Sequence, residues 1–180
     1  MACTYTSGVT LNCKDFPGGV KSIFLGHLSD FTSGVTVTAH EVTALPTATI
    51  YEWDLKNEST LFEQKPVVDQ VNHTIYFEQT LTVPVNALVT GAGDATRLAL
   101  LDSVMREQNV IFVQDQNDVI YMMGRINGAE VTDGTITTGQ AMGDFNGYNL
   151  TFTAKEKFQA EVLTDFTTTV FDNFVSITVS

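Results

Sequence analysis

Hydrophobic and polar residues alternate along much of the chain with the period of two that is typical of β-strands. The longest alternation runs from Asn72 to Pro84 and places Ile75, Phe77, Leu81 and Val83 on one face. This segment is therefore predicted to be a strand with one apolar and one half-polar face. The half-polar face carries Thr74, Tyr76, Glu78, Thr80 and Thr82.

Shorter runs rich in threonine, valine and phenylalanine recur between Gly, Asp and Asn residues, which favours a β-rich domain. Turn chemistry marks the corner Asp115–Asp118 between two apolar runs, and a tight turn is predicted at Asp133-Gly134. The further strand candidates are Val20–Leu25, Val35–His40, Thr47–Asp54, Ser59–Gln64, Val110–Gln114, Val119–Met123, Thr135–Thr138, Tyr148–Lys155 and Asn173–Val179.

One segment has the helical period instead. Asp94 occupies an N-cap position, in front of a helix that is predicted over about residues 95–108. The order of strands, one helix and further strands predicts a mainly β fold of two packed antiparallel sheets, a sandwich or flattened β-barrel, with one flanking α-helix. At 180 residues the chain is expected to form a single domain with a sizeable core. The apolar side of the helix carries Leu98, Leu101, Val104 and Met105.

The balance of charged residues limits the classes of function that are expected. Nine Lys and Arg residues stand against 21 Asp and Glu residues, a formal net charge of -12. Proteins that bind nucleic acid need cationic patches to displace phosphate counterions, so stable nucleic-acid binding is not expected. The first residues lack the regions of a secretory signal and no run reaches the length of a membrane span, so we expect a cytoplasmic location without membrane association. Cys3 and Cys13 are expected to stay free thiols.

The sequence contains no motif for catalysis or for a cofactor. The three histidines, at positions 27, 40 and 73, lack metal-ligand spacing. Asp144 and Asn146 faintly resemble a calcium loop, but the further ligands are missing, which favours a turn. Glu52 and Asp54 share a strand face, where solvated carboxylates are commoner than a catalytic pair. We therefore predict no enzyme, no metal site and no cofactor.

Two segments between the regular runs favour contacts with partners. Residues 54–73 are too long for a minimal turn between strands and predict a projecting hairpin, with a solvated ribbon as the alternative. Pro17-Gly18-Gly19 predicts a tight turn, because proline presets φ and glycine accepts positive φ. The contact candidates in the hairpin are Lys56, Glu58, Leu61, Phe62, Lys65, Val67 and Val68.

Taken in order, these features resemble the major tail tube proteins of tailed bacteriophages, and in particular a tail protein type of phages with Bacteroidetes-like hosts. The resemblance covers most of residues 1–160, whereas the final FTTTVFDNFVSITVS matches least. It rests on MACTYTSGVTLNCKDFPGGVKSIFLGHLSDF, YEWDLKNESTLFEQ and TIYFEQTLTV, on the helix, and on VIFVQDQNDVIYMMGRINGAEVTDGTITTGQAMGDFNGYNLTFTAKEK.

The resemblance implies a structural virion protein whose subunits form hexameric rings that stack into a hollow tube for genome delivery. Its partners would be copies of itself, other tail proteins (terminator, baseplate and tape measure), and phage DNA that passes without binding. The hairpin at 54–73 would contact the next ring. An N-terminal arm of about residues 1–19 and a C-terminal arm of about residues 160–180 would lie on neighbouring subunits.

In such a tube, the negative net charge of the subunit would affect how DNA moves through the lumen. Acidic and hydroxyl groups in a lumen would let DNA slide, whereas cationic groups would bind its phosphates. Lys14 or Lys21 would be available to pair with an acidic neighbouring subunit. The lumen candidates are Thr74, Glu78, Thr80 and Thr82.

Other classes of function stay open from the sequence. Another virion ring protein, such as a tail terminator or baseplate part, would form one ring and stop. A monomeric β-sandwich module that binds carbohydrate would use Tyr51, Trp53 and Tyr76 as a stacking platform. An unrecognised hydrolase would need a perturbed acid or base in a pocket. Assembly separates these classes, because a tube protein polymerises whereas a binding module stays monomeric.

Overall fold

The computed structural model describes residues 17–53, 55, 59–85, 95–164, 166, 169–174 and 176–180. These residues form two β-sheets, one of them curled into a half-barrel, with few helices, which confirms the predicted mainly β class with a flanking helix. The strands are β1 (Val20–His27), β2 (Thr36–Thr38), β3 (Glu41–Ala44), β4 (Ala48–Trp53), β5 (Leu61–Asp69), β6 (Thr74–Val85), β7 (Asn109–Asp115), β8 (Ile120–Met123), β9 (Glu130–Thr137), β10 (Gly147–Glu156), β11 (Glu161–Leu163) and β12 (Ile177–Val179), and the helices are α1 (Leu28–Phe31) and α2 (Ala95–Arg106).

The large sheet has eight strands in the order β12-β4-β1-β7-β8-β11-β3-β2, and the small sheet has four in the order β5-β6-β10-β9. Every pair in the small sheet is antiparallel. The large sheet contains two parallel pairs, β11 with β3 and β12 with β4, whereas the sequence predicts only antiparallel sheets. Side-chain alternation assigns residues to faces but carries no information on which strands become neighbours.

The central strands β1 and β7 of the large sheet are buried on both faces, which explains the unbroken apolar run Val110–Val113 in β7. Ile111 faces a core that lies between the two sheets, together with Leu81 of β6 and Phe152 of β10. Phe112, its neighbour in sequence, points to a second core on the opposite face. The described residues therefore form two hydrophobic clusters with the large sheet between them.

The C-terminal segment closes the second core. Phe171 is 4% exposed, and its ring meets the rings of Phe24 and Phe112 edge to face, with centroids 5.1 and 5.2 Å apart. Phe174 is buried in the same cluster. Residues 161–163 and 177–179 are strands of the large sheet. The phenylalanines of the described part of residues 160–180 therefore fill this chain's own core, and the contact of this segment with a neighbouring subunit stays a prediction.

The helix α2 lies where the sequence predicts it and ends for an identifiable reason. The side-chain amide of the buried Asn109 donates hydrogen bonds to the carbonyls of Val104 and Glu107, at 3.1 and 3.0 Å, and so satisfies the last turn. Leu101 and Val104 are buried as expected, whereas Leu98 is 44% exposed because the helix packs on the core through its C-terminal half. The N-cap candidate Asp94 lies outside the described residues.

The predicted turn at residues 133–134 and the predicted strand at residues 35–40 both differ from the structure. Asp133-Gly134 lies inside β9, next to a bulge that leaves Thr132 without a register partner on β10. Conversely, the predicted strand Val35–His40 is a strand only over β2, because Ala39 and His40 adopt positive φ and form the turn that leads into β3. The corner predicted at Asp115–Asp118 is confirmed, since it joins β7 to β8.

Candidate assembly surface

The small sheet presents one face to the core and one face to solvent. Its core face carries Leu81 and Val83 of β6, with Leu150 and Phe152 opposite them on β10. The polar residues of the predicted alternation in β6 point the other way, so the predicted period is correct. We call the solvent side of this sheet the outer face.

The outer face carries mainly threonine hydroxyls and a few charged side chains. The strand register places Thr80 of β6 opposite Thr153 of β10, and the Thr153 hydroxyl lies 2.8 Å from that of Thr132 on β9. Lys65 of β5 and Lys155 of β10 flank Glu78 in one row across the strands. All four lumen candidates, Thr74, Glu78, Thr80 and Thr82, share this face with Thr132, Thr135, Thr137, Thr151 and Thr153.

The two lateral edges of the small sheet are long and unpaired. Within the described residues, β5 pairs only with β6, and β9 pairs only with β10. These edges are nine and eight residues long, whereas the edges of the large sheet, β12 and β2, have three residues each. Unpaired N–H and C=O groups along a long edge are a template for another strand, and natural proteins keep free edges short.

The β5–β6 hairpin extends beyond the rest of its sheet. Pairing between β6 and β10 stops at Phe77, so the strands continue towards their turn as a two-stranded ribbon. Three exposed apolar residues lie on this ribbon, namely Val68, Val71 and Ile75, and Val71 is 88% exposed. The ribbon therefore presents apolar surface that the described part of this chain does not cover.

A carboxylate organises the turn of this ribbon. Asp69 accepts hydrogen bonds from the backbone N–H groups of Val71 and Asn72, at 2.9 and 3.1 Å, and from the Asn72 side-chain amide at 2.6 Å. These bonds, the side-chain amide first, lower the pKa of the Asp69 carboxyl. His73 follows with a positive φ of 51°.

Of the predicted hairpin contacts, Leu61, Lys65 and Val68 are exposed, and Val67 is half-buried on the outer face. Phe62 points to the core side, where its ring centroid lies 5.9 Å from that of Tyr121. Both rings border a cleft of about 310 Å³ between the edge strand β5 and the strands β7 and β8 of the large sheet, beside Leu61 and Val113. Burial raises the pKa of the Tyr121 hydroxyl. Lys56 and Glu58 lie outside the described residues.

The Pro17-Gly18-Gly19 segment is held to the β7–β8 turn of its own chain. The side-chain amide of Asn117 donates to the Pro17 carbonyl at 3.1 Å, and Gly19 has a φ of +117° that favours glycine. Lys21 forms a salt bridge with Asp118 of its own chain at 2.5 Å, and its pairing with a neighbouring subunit stays a prediction. Lys14 lies outside the described residues.

Sequence reasoning missed a buried polar cluster beneath the small sheet. Gln79 is 1% exposed, and its carbonyl oxygen accepts the N–H of Gly124 at 3.0 Å. Glu156 accepts the N–H groups of Ile126 and Asn127, at 2.9 and 2.8 Å. Both side chains hold the loop after β8 against the sheet. The polar Gln79 in the middle of the apolar face of β6 was the available signal.

The alternative sites from the sequence are not assembled by the fold. Trp53 packs against Phe152 in the central core, whereas Tyr76 lies on the outer face, so the proposed aromatic platform is not formed. Asp144 accepts the N–H groups of Gln140 and Ala141, both at 2.8 Å, which lowers its pKa and serves a turn. No cluster of three or more His, Cys, Asp or Glu side chains that could hold a metal occurs among the described residues.

Comparison with known proteins identifies no relative: the chain matches no protein-family model, no curated protein and no solved structure. Neither helix of the described chain is long and apolar enough to cross a membrane.

Proposed function

We propose that the protein is a structural subunit of a phage tail tube, in which copies join into hexameric rings that stack around a lumen for DNA. The observation that carries the proposal is the small sheet, with a core on one face, hydroxyls and carboxylates on the other, and a long unpaired strand at each side. Such a sheet continues into the next copy at both edges, and a closed ring of copies leaves no edge free.

The strand count fits a lumen. Six copies contribute 24 strands, and at about 4.8 Å per strand and a tilt of about 36° the barrel measures about 45 Å between opposite backbones. Three copies would give about half that width, and inward side chains would fill much of it. A hexamer therefore leaves a channel that admits duplex DNA.

In the proposed ring the outer face of the small sheet lines the lumen, and its charges suit the passage of DNA without binding. Among the described residues of this face, Glu63, Asp69, Glu78 and Asp133 lie with only two cations, Lys65 and Lys155. Each lysine is directly opposite Glu78, which weakens its attraction for a phosphate. The threonine hydroxyls provide a polar surface without positive charge.

The two ends of the small sheet suit stacking of rings. The ribbon with Val68, Val71 and Ile75 lies at one end, and the β9–β10 loop, in which Met142 is fully exposed, lies at the other. Contact between two different ends is heterologous, and repetition of such a contact builds an open filament. The strand β6, with 12 residues at about 3.3 Å each, gives a repeat of about 40 Å along an untilted strand and less when tilted.

Electron microscopy of the purified protein across a concentration series tests the proposal, with light scattering to give the mass. Hollow tubes or stacked six-fold rings are expected. Single rings that never stack would favour a terminator or baseplate part. A protein that stays monomeric at every concentration would refute the assembly, and a glycan-binding screen would then test the module alternative.

A further inference from the structure

The unpaired edges of the small sheet fit each other in one register. We infer that β5 of one copy pairs antiparallel with β9 of the next, with Phe62 opposite Ile136 and Lys65 opposite Asp133. This inference rests on the proposed ring and specifies its joint.

The strand directions allow this joint without a break in the sheet. β5 and β9 occupy opposite edges of a four-stranded antiparallel sheet, so they run in opposite directions. Copies related by rotation about a ring axis keep their direction along that axis. A strand β9 placed beside β5 of the neighbour is therefore antiparallel to it, and the whole ring is one antiparallel sheet.

Charge selects the register. Core-facing residues must stay on the core side, so the register can shift only in steps of two residues. In the inferred register Lys65 meets Asp133, and both are exposed on the outer face. Neither forms a salt bridge within the described residues. A shift of two residues in one direction places Glu63 opposite Asp133, and a shift in the other direction places Val67 there.

The same register places an exposed apolar side chain at an open cleft. Ile136 lies opposite Tyr148 on the core side of β9, yet it is 61% exposed because β9 is an edge. Opposite Phe62 of the next copy, it would reach the cleft beside Tyr121. The projecting residue and the receiving cleft belong to opposite edges, so each copy supplies one of each.

The register also gives the strand tilt that a closed barrel needs. Within one copy, Leu61 lies opposite Thr82, which lies opposite Thr151, which in turn lies opposite Asp133. Leu61 and Asp133 are therefore at the same height along the strands. Across the joint Leu61 faces Thr137, four residues further along β9. A displacement of four residues over four strands makes the shear equal to the strand number, and barrels with that ratio have strands tilted by about 36°.

Charge reversal tests the joint. Lys65→Asp alone places two carboxylates opposite each other at every joint, and Asp133→Lys alone places two ammonium groups there. Each variant should require at least about fivefold more protein for half-assembly than wild type in about 0.1 M salt, and less of a difference in about 1 M salt. Assembly is measured by sedimentation and electron microscopy. Lys155→Asp, the same change on the central strand β10, is the matched control and should assemble normally.

Mixing the two variants distinguishes the joint from misfolding. In a ring where the variants alternate, half of the joints pair the introduced carboxylate with the introduced ammonium group, and the other half keep the original pair of Lys65 with Asp133. An equimolar mixture should therefore recover assembly, and rings with an even number of copies can close. The double variant in one chain should recover as well.

The outcomes separate the joint from the ring. Normal assembly of both single variants, or no recovery on mixing, would overturn the register while leaving the tube proposal intact. A wild-type protein that never assembles would overturn both.

Discussion

Removing the ring of Phe171 tests whether the C-terminal segment belongs to this chain's own core. The side chain is 4% exposed and contacts Phe24 and Phe112 edge to face. Replacement by alanine leaves a cavity in a dense core, and such Phe→Ala changes cost about 3–5 kcal/mol of unfolding free energy. Two lost aromatic contacts place the expected value in the upper part of that range.

Urea unfolding, followed by circular dichroism at a protein concentration below assembly, measures this cost. With an m-value of about 2 kcal/mol per M, Phe171→Ala should lower the midpoint by about 2 M. Phe158 is 41% exposed, so Phe158→Ala is the matched control and should change the unfolding free energy by less than about 1 kcal/mol.

The concentration dependence gives the refuting result. A core contact within one chain destabilises the monomer by the same amount at every concentration. If Phe171→Ala left the monomer's midpoint unchanged and weakened only assembled protein, the segment would be an arm on a neighbour. The assignment of Phe171 to the second core would then be wrong.

Three further predictions concern a turn carboxylate, a glycine with positive φ and a buried hydrogen bond. Hydrogen bonds from Asn72 and Val71 lower the pKa of the Asp69 carboxyl in the folded state, so its stabilisation of the ribbon turn should be present above about pH 4 and be lost as the pH falls through the folded pKa. The NMR signal of the Asn72 side-chain amide would report this loss, and a signal that did not change during an acid titration in which Asp69 becomes protonated would contradict it. Gly19→Val should lower the melting temperature because its φ is +117°, whereas Gly18→Val, at a position with open space, should not; equal effects would contradict the strain argument. Gln79→Leu should cost about 1–3 kcal/mol in urea unfolding by leaving a buried loop N–H unpaired, and a neutral effect would contradict that role.

Alternation predicts the strands of this fold well where one face is buried. The run around Leu81 and Val83 carries that signal, and the structure places both residues in the core. The burial of Phe171 and Phe174 could not be predicted because both residues lie outside regular elements, where no period exists to mark a buried side chain. Burial there depends on the second face of the large sheet, which only the tertiary fold creates.

The sequence predicts the polar face of β6 but not the neighbours that complete the candidate assembly surface. Thr80 and Thr82 are assigned to the polar face from β6 alone, and the register then adds the threonines of β10 and β9. Strand order is a long-range property, so the sequence could not reveal that β5 and β9 are the free edges. Lys21 is assigned to a neighbour from the sequence because its partner Asp118 is 97 residues away along the chain.

The free edges also carry features that limit where another strand can pair. Pro66 interrupts the free side of β5, since proline is accommodated in an edge strand where its missing N–H points away from the neighbour. The bulge at Thr132 interrupts β9. The longest uninterrupted stretch on each edge has five residues, 61–65 and 133–137. Only one antiparallel register fills both windows, and it is the register that pairs Lys65 with Asp133. Interruptions that protect an edge from indiscriminate pairing would here restrict it to a single partner.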